Sequence, residues 1–185
     1  PFTLSHPLAV VPLRRTGLVF SALVVGSMSP DFEYFLRPLE RVLPVGSDDH
    51  ASHTLAGMFV ICLPPGLLLL WLWHEVLKRP LLELAPESHR LRLAPCVGEF
   101  PFGPGRRFLL VCVSILLGAA THIIWDSFTH PWGWPVQQMT LLQAKVSIPG
   151  VEPLALYRCL QHASTVIGFL AVILVYLHWF RHASP

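Results

Sequence analysis

Histidine and aspartate recur in this chain at spacings that suit metal chemistry. His122 and Asp126 stand four residues apart in THIIWDSFTHP, about 40° apart on one helix face, so both side chains can reach one ion. Imidazole and carboxylate together suit zinc, iron or manganese. His130 follows four residues later but precedes Pro131. A residue before proline is pushed out of helical geometry, so His130 is expected to close the constellation from the helix end. Further ligand-type groups are His6 in TLSHP, Asp31 and Glu33 in SPDFEY, His53 in SHTLAG and His162 in LQHAST. Each has a plainer account when taken singly. Acids just after a Ser-Pro helix start complement the helix dipole, and a lone histidine at a helix start is commonly a surface or packing residue, as His50 is expected to be. Their joint arrival at one level of the molecule favours the chemical reading.

The surroundings make these groups unusual. Of 185 residues, 53% are hydrophobic and 13% charged, where soluble domains carry roughly 25% charged residues; the mean hydropathy is +0.56. This composition argues for a single integral-membrane domain over residues 1–185 and against a soluble or disordered chain. Thirteen Lys and Arg against eleven Asp and Glu give a net charge of only +2, which excludes a phosphate-tracking surface and with it nucleic acid as a partner. Cys62, Cys96, Cys112 and Cys159 form no close pair, so neither a disulfide framework nor a zinc knuckle is indicated.

The elements that must position the ligands are membrane helices. Three stretches lack any Asp, Glu, Lys or Arg: Thr54 to Trp73, Phe108 to Trp125 and Cys159 to Phe180, of 20, 18 and 22 residues. Each matches the roughly 20 residues a span needs. Spanning helices are therefore expected over 54–77, 108–128 and 162–180, with Pro64 and Pro65 kinking the first. Residues 1–41 read as an N-terminal helical hairpin, turning at Arg14, Arg15 and Gly17, with a following helix. The fold class is all-α, a polytopic bundle of that hairpin plus three spans. Residues 78–107 carry Lys78, Arg79, Arg90, Arg92, Arg106 and Arg107 and are read as a cytoplasmic loop by the positive-inside rule; within it, LLELAPESHRLRL has an amphipathic alternative. Arg37, Arg41, Lys145 and Arg158 fall outside, with seven acids: Asp31, Glu33, Glu40, Asp48, Asp49, Asp126 and Glu152. The segment 129–161 is an outer, Pro- and Gly-interrupted stretch flanked by aromatic residues. His74, His178 and His182 are read as belt residues at the inner end. This topology delivers His6, Asp31, His53, His122, Asp126 and His162 to one outer level, and ionisable groups at such depth are functional by default.

In this order the motifs TLSHP, GSMSPDFEY, SHTLAG, THIIWDSFTHPWGW and LQHAST resemble a bacterial family of small polytopic membrane proteins of unknown function, found largely in actinobacteria and their relatives. A more distant resemblance is to membrane-bound metal-dependent hydrolases and, through them, to the zinc-dependent phospholipase C and P1-type nuclease superfamily. The order implied there is His, Asp, His, His-xxx-Asp, His, then a second His-xxx-Asp. Here it is His6, Asp31, His53, His122 with Asp126, His130 and His162, but Val166 stands where the last aspartate belongs. That departure favours one or two ions over three. The soluble relatives also use their N-terminal amine as a ligand, a role Pro1 beside His6 would imitate.

The expected function is a metal-dependent hydrolase in the bacterial cytoplasmic membrane, holding divalent metal, zinc first and iron or manganese as alternatives. Its substrate would be a phosphoester or another lipid-like amphiphile. Asp31 is the expected bridging ligand or base, His6, His53, His122, Asp126, His130 and His162 the other ligands, and Glu33 and Gln161 the groups that orient them. Iron-dependent oxidation, metal-promoted cyclisation or elimination of an apolar substrate, metal transport and a purely structural role are the alternatives.

Overall fold

A computed structural model of the chain describes residues 1–36, 50–147, 149–150 and 152–183. Arg37, Glu40, Arg41, Asp48 and Asp49 of the charge count lie outside the described residues, as does the end of the expected unit 1–41.

The described chain is mostly helical. Pro7, with its φ already set for a helix, opens α1, Pro7–Val10. A 3₁₀ segment, Val11–Arg15, follows, and Gly17 at φ 79°, a conformation open to glycine, leads the chain into α2, Phe20–Met28. At 1.5 Å per residue α2 is about 14 Å long, roughly half the hydrocarbon layer. A 3₁₀ turn, Ser29–Asp31, connects it to α3, Phe32–Leu36. Then come α4, Leu55–Leu84; α5, Glu87–Leu93; α6, Gly105–Thr129; α7, Trp134–Gln138; α8, Thr140–Gln143; and α9, Leu156–His182. α4, the segment Gly105–Gln138 that contains α6, and α9 are long and apolar enough to cross a membrane.

Several details differ from the sequence reading or refine it. Residues 78–107 are not simply a loop, because α4 runs on through Leu84 and α5 follows. α5 docks against the far end of α9, where Arg92 Nε donates to the Phe180 carbonyl at 2.9 Å and His89 pairs with the Tyr176 hydroxyl. α4 continues through Pro64 and Pro65 because a wider π-helical turn, Met58–Cys62, precedes them and absorbs the displaced backbone bonds. A short antiparallel ribbon pairs Lys145 with Ala155 and Val146 with Leu154, so the described chain is not wholly α. His74, read as a belt residue, is half-buried, with Nε2 3.1 Å from Ser21 Oγ and its ring stacked on Phe100.

The centre of the molecule is the contact of α2 with α6. A Cβ at Gly26 would lie 2.1 Å from the Ile115 carbonyl oxygen, and one at Gly118 would lie 2.3 Å from the Leu23 carbonyl oxygen. Only glycine lets the two backbones touch, a mode of packing that membrane helices favour. Around the contact Val19, Ala22, Val25, Leu70, Val111 and Ile115 form the main buried cluster, and the Val19 N–H donates to Ser114 Oγ at 3.0 Å. α9 is held differently. Its Ile167 and Leu174 are 63% and 65% exposed, apolar surface of the kind a bilayer covers.

The glycine contact yields a stability test. Gly118→Val is expected to cost about 3 kcal/mol or more, as overpacking against fixed backbone does, and to lower the thermal midpoint in detergent by several degrees. Gly98→Ala, where a Cβ meets nothing within 4 Å, is expected to leave the midpoint unchanged. Equal midpoints for both variants would contradict the contact.

Candidate metal centre

Four separate pieces of chain meet at the end of the bundle where α4 and α9 begin and α6 ends. The last turns of α6 place His122 and Asp126 on one face. The 3₁₀ turn after α2 supplies Asp31, and a 3₁₀ turn Ala51–His53 supplies His53 just ahead of α4. Thr54 caps that helix by accepting the Gly57 N–H at 2.9 Å, which fixes the entry angle of the histidine before it. His6 enters on the turn before Pro7. All five side chains are buried, His122 completely and His53, the most exposed, to 9%.

Asp126 is the hub. Its Oδ1 lies 3.5 Å from His6 Nε2 and 3.4 Å from the Pro1 backbone nitrogen. Its Oδ2 lies 3.4 Å from His122 Nε2, 3.8 Å from His53 Nε2 and 3.5 Å from His130 Nδ1. Asp31 Oδ1 faces His122 Nε2 at 3.4 Å and His53 Nε2 at 4.0 Å, while its Oδ2 accepts a 2.6 Å hydrogen bond from Thr3 Oγ1. Both Asp31 oxygens are thus engaged across the site, which sets aside the helix-dipole account of this acid. Among the described residues, Asp31, His53, His122 and Asp126 each offer a ligand atom within 4.8 Å of all the others.

Proton placement shows why this arrangement fits a cation. His122 Nδ1 lies 2.8 Å from the Ser27 carbonyl oxygen, so Nδ1 carries the hydrogen and Nε2 presents its lone pair to two carboxylates. His6 Nε2, His122 Nε2 and Asp126 Oδ1 are buried without a hydrogen-bond partner. Lone pairs converging out of reach of water need positive charge between them. Burial pushes the imidazoles of His6 and His53 down to about 3 and about 4, leaving both neutral and able to coordinate at pH 7. For Asp31, burial raises the carboxyl, but the facing His122 ring and the hydroxyl of Thr3 outweigh it and hold the group below the usual carboxylate range.

His6, Asp31, His53, His122, Asp126 and His130 therefore come together, and His162 does not. His162 is exposed, whereas its neighbour Gln161 places Nε2 3.0 Å from His130 Nε2. With the amide donating, His130 accepts at Nε2 and turns its Nδ1–H toward Asp126, whose carbonyl oxygen is 3.2 Å away. His130 so placed holds Asp126. Glu33 is half-buried on the turn after Asp31. Four supports escaped the sequence reading: Thr3 on Asp31, the Ser27 carbonyl on His122, Ser52 Oγ 3.0 Å from His53 Nδ1, and Trp132, whose ring lies 5.2 Å from that of His53 and 5.4 Å from that of His130. Thr3 and Ser52 sit inside the motifs TLSHP and SHTLAG, and their hydroxyls were the available signal. A backbone carbonyl leaves none.

The chain belongs to the family described as Domain of unknown function (DUF4184), whose model matches residues 1–185. Neither the curated proteins nor the solved structures contain a match to it.

The geometry separates neighbours in sequence. Thr3→Val, which strips the hydroxyl from Asp31, is expected to weaken divalent-metal binding about tenfold to a hundredfold, the usual effect of removing a group that orients a ligand. Gln161→Ala is expected to weaken it by less, and His162→Ala to leave it unchanged, as read by competition with a chromogenic chelator. A large loss in His162→Ala would place that residue in the centre.

Proposed function

We propose that this chain is a metal-dependent hydrolase of the bacterial cytoplasmic membrane, acting at the outer membrane-water boundary on a phosphoester or similar lipid-like substrate. Four ligand atoms from three chain segments, closing on one buried point, carry this reading. The unpartnered nitrogens of His6 and His122 and the unpartnered oxygen of Asp126 support it. The order of the same residues along the chain resembles that of the zinc-dependent phospholipase C and P1-type nuclease superfamily. The basic residues Lys78 and Arg79 in the last turns of α4, Arg90 and Arg92 in α5, and Arg106 and Arg107 in the first turn of α6 all lie at the end of the bundle away from the cluster, which favours an outward-facing centre.

A divalent ion held here, zinc first and iron or manganese by the same donors, would polarise an ester oxygen and acidify water to near neutrality. The chain's own groups set the stage for that chemistry. Ser27 and Ser52 fix the imidazoles of His122 and His53 so that each Nε2 faces the two aspartates. Asp126 offers Oδ2 to those histidines and Oδ1 to His6, so it would help hold one ion or two. Asp31, anchored through Oδ2 by Thr3, keeps Oδ1 at the centre of the cluster, where it can take a proton from an attacking water. Glu33, two residues further along, is a second carboxylate that could orient the site.

Metal content of detergent-purified protein tests the proposal, with His122→Ala and Asp31→Asn prepared alongside. Between about one and about two equivalents of zinc are expected in the wild type, with most of it lost in both variants. Zinc-dependent hydrolysis of phosphoesters or phospholipids in nanodiscs is expected to fall about a hundredfold or more in Asp31→Asn. Iron at the same stoichiometry would point to oxidation chemistry instead. Absence of any metal after reconstitution would mean that protons hold the cluster together, and the enzymatic reading would fall.

A further inference from the structure

A groove of about 400 Å³ runs from His6 along the side of the bundle, between the N-terminal turns, Trp125 of α6 and the first half of α9. Its volume lies within the range of ligand sites. On α9 its wall is formed by Leu160, Ala163 and Ile167, with Gly168 on the adjoining row, the i, i+3, i+7 pattern of a single helix stripe. Small residues open the space. At Gly168 a Cβ would sit 2.7 Å from Ser5 Cβ, so α9 touches the N-terminal turn there, and the room above that contact is left by Ala163 and bordered by Trp125. The mouth is polar, because His6 borders the groove and also faces Asp126 Oδ1 at 3.5 Å. The body is apolar and laterally open, with Ile167 63% and Trp125 42% exposed on the membrane-facing side.

We infer that this groove holds one hydrocarbon chain of a membrane amphiphile whose anionic head, a phosphate or similar oxyanion, reaches the His/Asp centre. The inference rests on the metal-centre proposal and adds the path by which substrate arrives: sideways from the bilayer, between α9 and the N-terminal turns. Polarity and size decide the occupant. A polar end at His6 and an apolar length beside α9 complement an amphiphile and not a soluble phosphoester. A cavity of about 400 Å³ equals about one turn of a helix with its side chains, so it admits a flexible chain but not a partner helix lying along it.

Photolabelling in nanodiscs tests this without reading hydrolysis. The probe is dodecylphosphonate, which has no ester bond to cleave, bearing a mid-chain diazirine; adducts are mapped by tandem mass spectrometry and zinc content is measured on the same samples. In the wild type, adducts are expected to concentrate on Leu160, Ala163, Ile167 and Trp125. Ile167→Trp and Ala163→Trp fill the groove at exposed positions and are expected to retain zinc. Each should lose groove adducts about tenfold or more, since excluding even two methylenes at roughly fourfold each suffices. Adducts spread evenly onto Leu170 and Leu174, or unchanged by both substitutions, would overturn the groove while leaving the zinc result standing. Groove labelling that survives zinc removal undiminished would overturn the link between chain and centre.

Discussion

The structure turns on the burial of two carboxylates among imidazoles. Asp31 and Asp126 are 4% and 3% exposed, and an ion removed from water costs several kcal/mol unless opposite charge or hydrogen bonds replace the solvent. Thr3 satisfies one of the four carboxylate oxygens. The others face ring nitrogens at 3.4 to 4.0 Å, too far or too poorly aligned to share a hydrogen. What such a cluster lacks is positive charge at its middle. A cation held there would supply it at the distances where imidazole and carboxylate already converge, and the same requirement would account for polar groups from four segments occupying one end of an otherwise apolar bundle.

That requirement reaches into the helix packing. His122 is oriented by the carbonyl of Ser27, one residue beyond Gly26, and Gly26 and Gly118 are the positions where α2 and α6 touch. The glycine contact therefore sets the ligand geometry as well as the core. α2, too short to cross a bilayer, serves as a brace that presents one carbonyl to His122 and, on the following turn, Asp31 to the centre. A brace of this kind is rigid only if its partner is close, which glycine at both positions ensures.

Much of the centre was legible in the sequence because helical periodicity is a local rule. The four-residue step from His122 to Asp126 holds on any helix, and the alternation of apolar runs brings Asp31, His53 and His6 to the same level without any knowledge of packing. The rotation of α9 about its own axis was not legible in the histidine pattern. Gln161, Thr165 and Gly168 share one face, and that face meets the N-terminal turns: the Phe2 N–H donates to Thr165 Oγ1, Ser5 Oγ donates to the Thr165 carbonyl, and Gly168 lies against Ser5. His162 is about 100° away from Gln161 and so looks outward. The small residues Thr165 and Gly168 marked the contact face, yet the pull of a resemblance in motif order favoured the histidine. Residues 78–107 misled for a different reason, since basic charge identifies the side of a membrane but not backbone conformation, and Lys78–Leu84 and Glu87–Leu93 have the leucine content to be helical.

α9 is the least embedded of the long helices, and this follows from how it is attached. α2 and α6 meet backbone to backbone, α4 packs on both through Leu70 and its neighbours, but α9 is tied at its start by Gln161, Thr165 and Gly168 and at its far end by Arg92 and His89. Between the ties its apolar side chains face outward. A helix pinned at two ends can give way sideways at small cost, because few contacts must break. The upper tie lies beside His6, so the segment best able to move borders the segment that carries a ligand. Loose packing at that place has a physical use: it lets the surrounding lipid phase extend up to a centre whose own side chains are sealed from water.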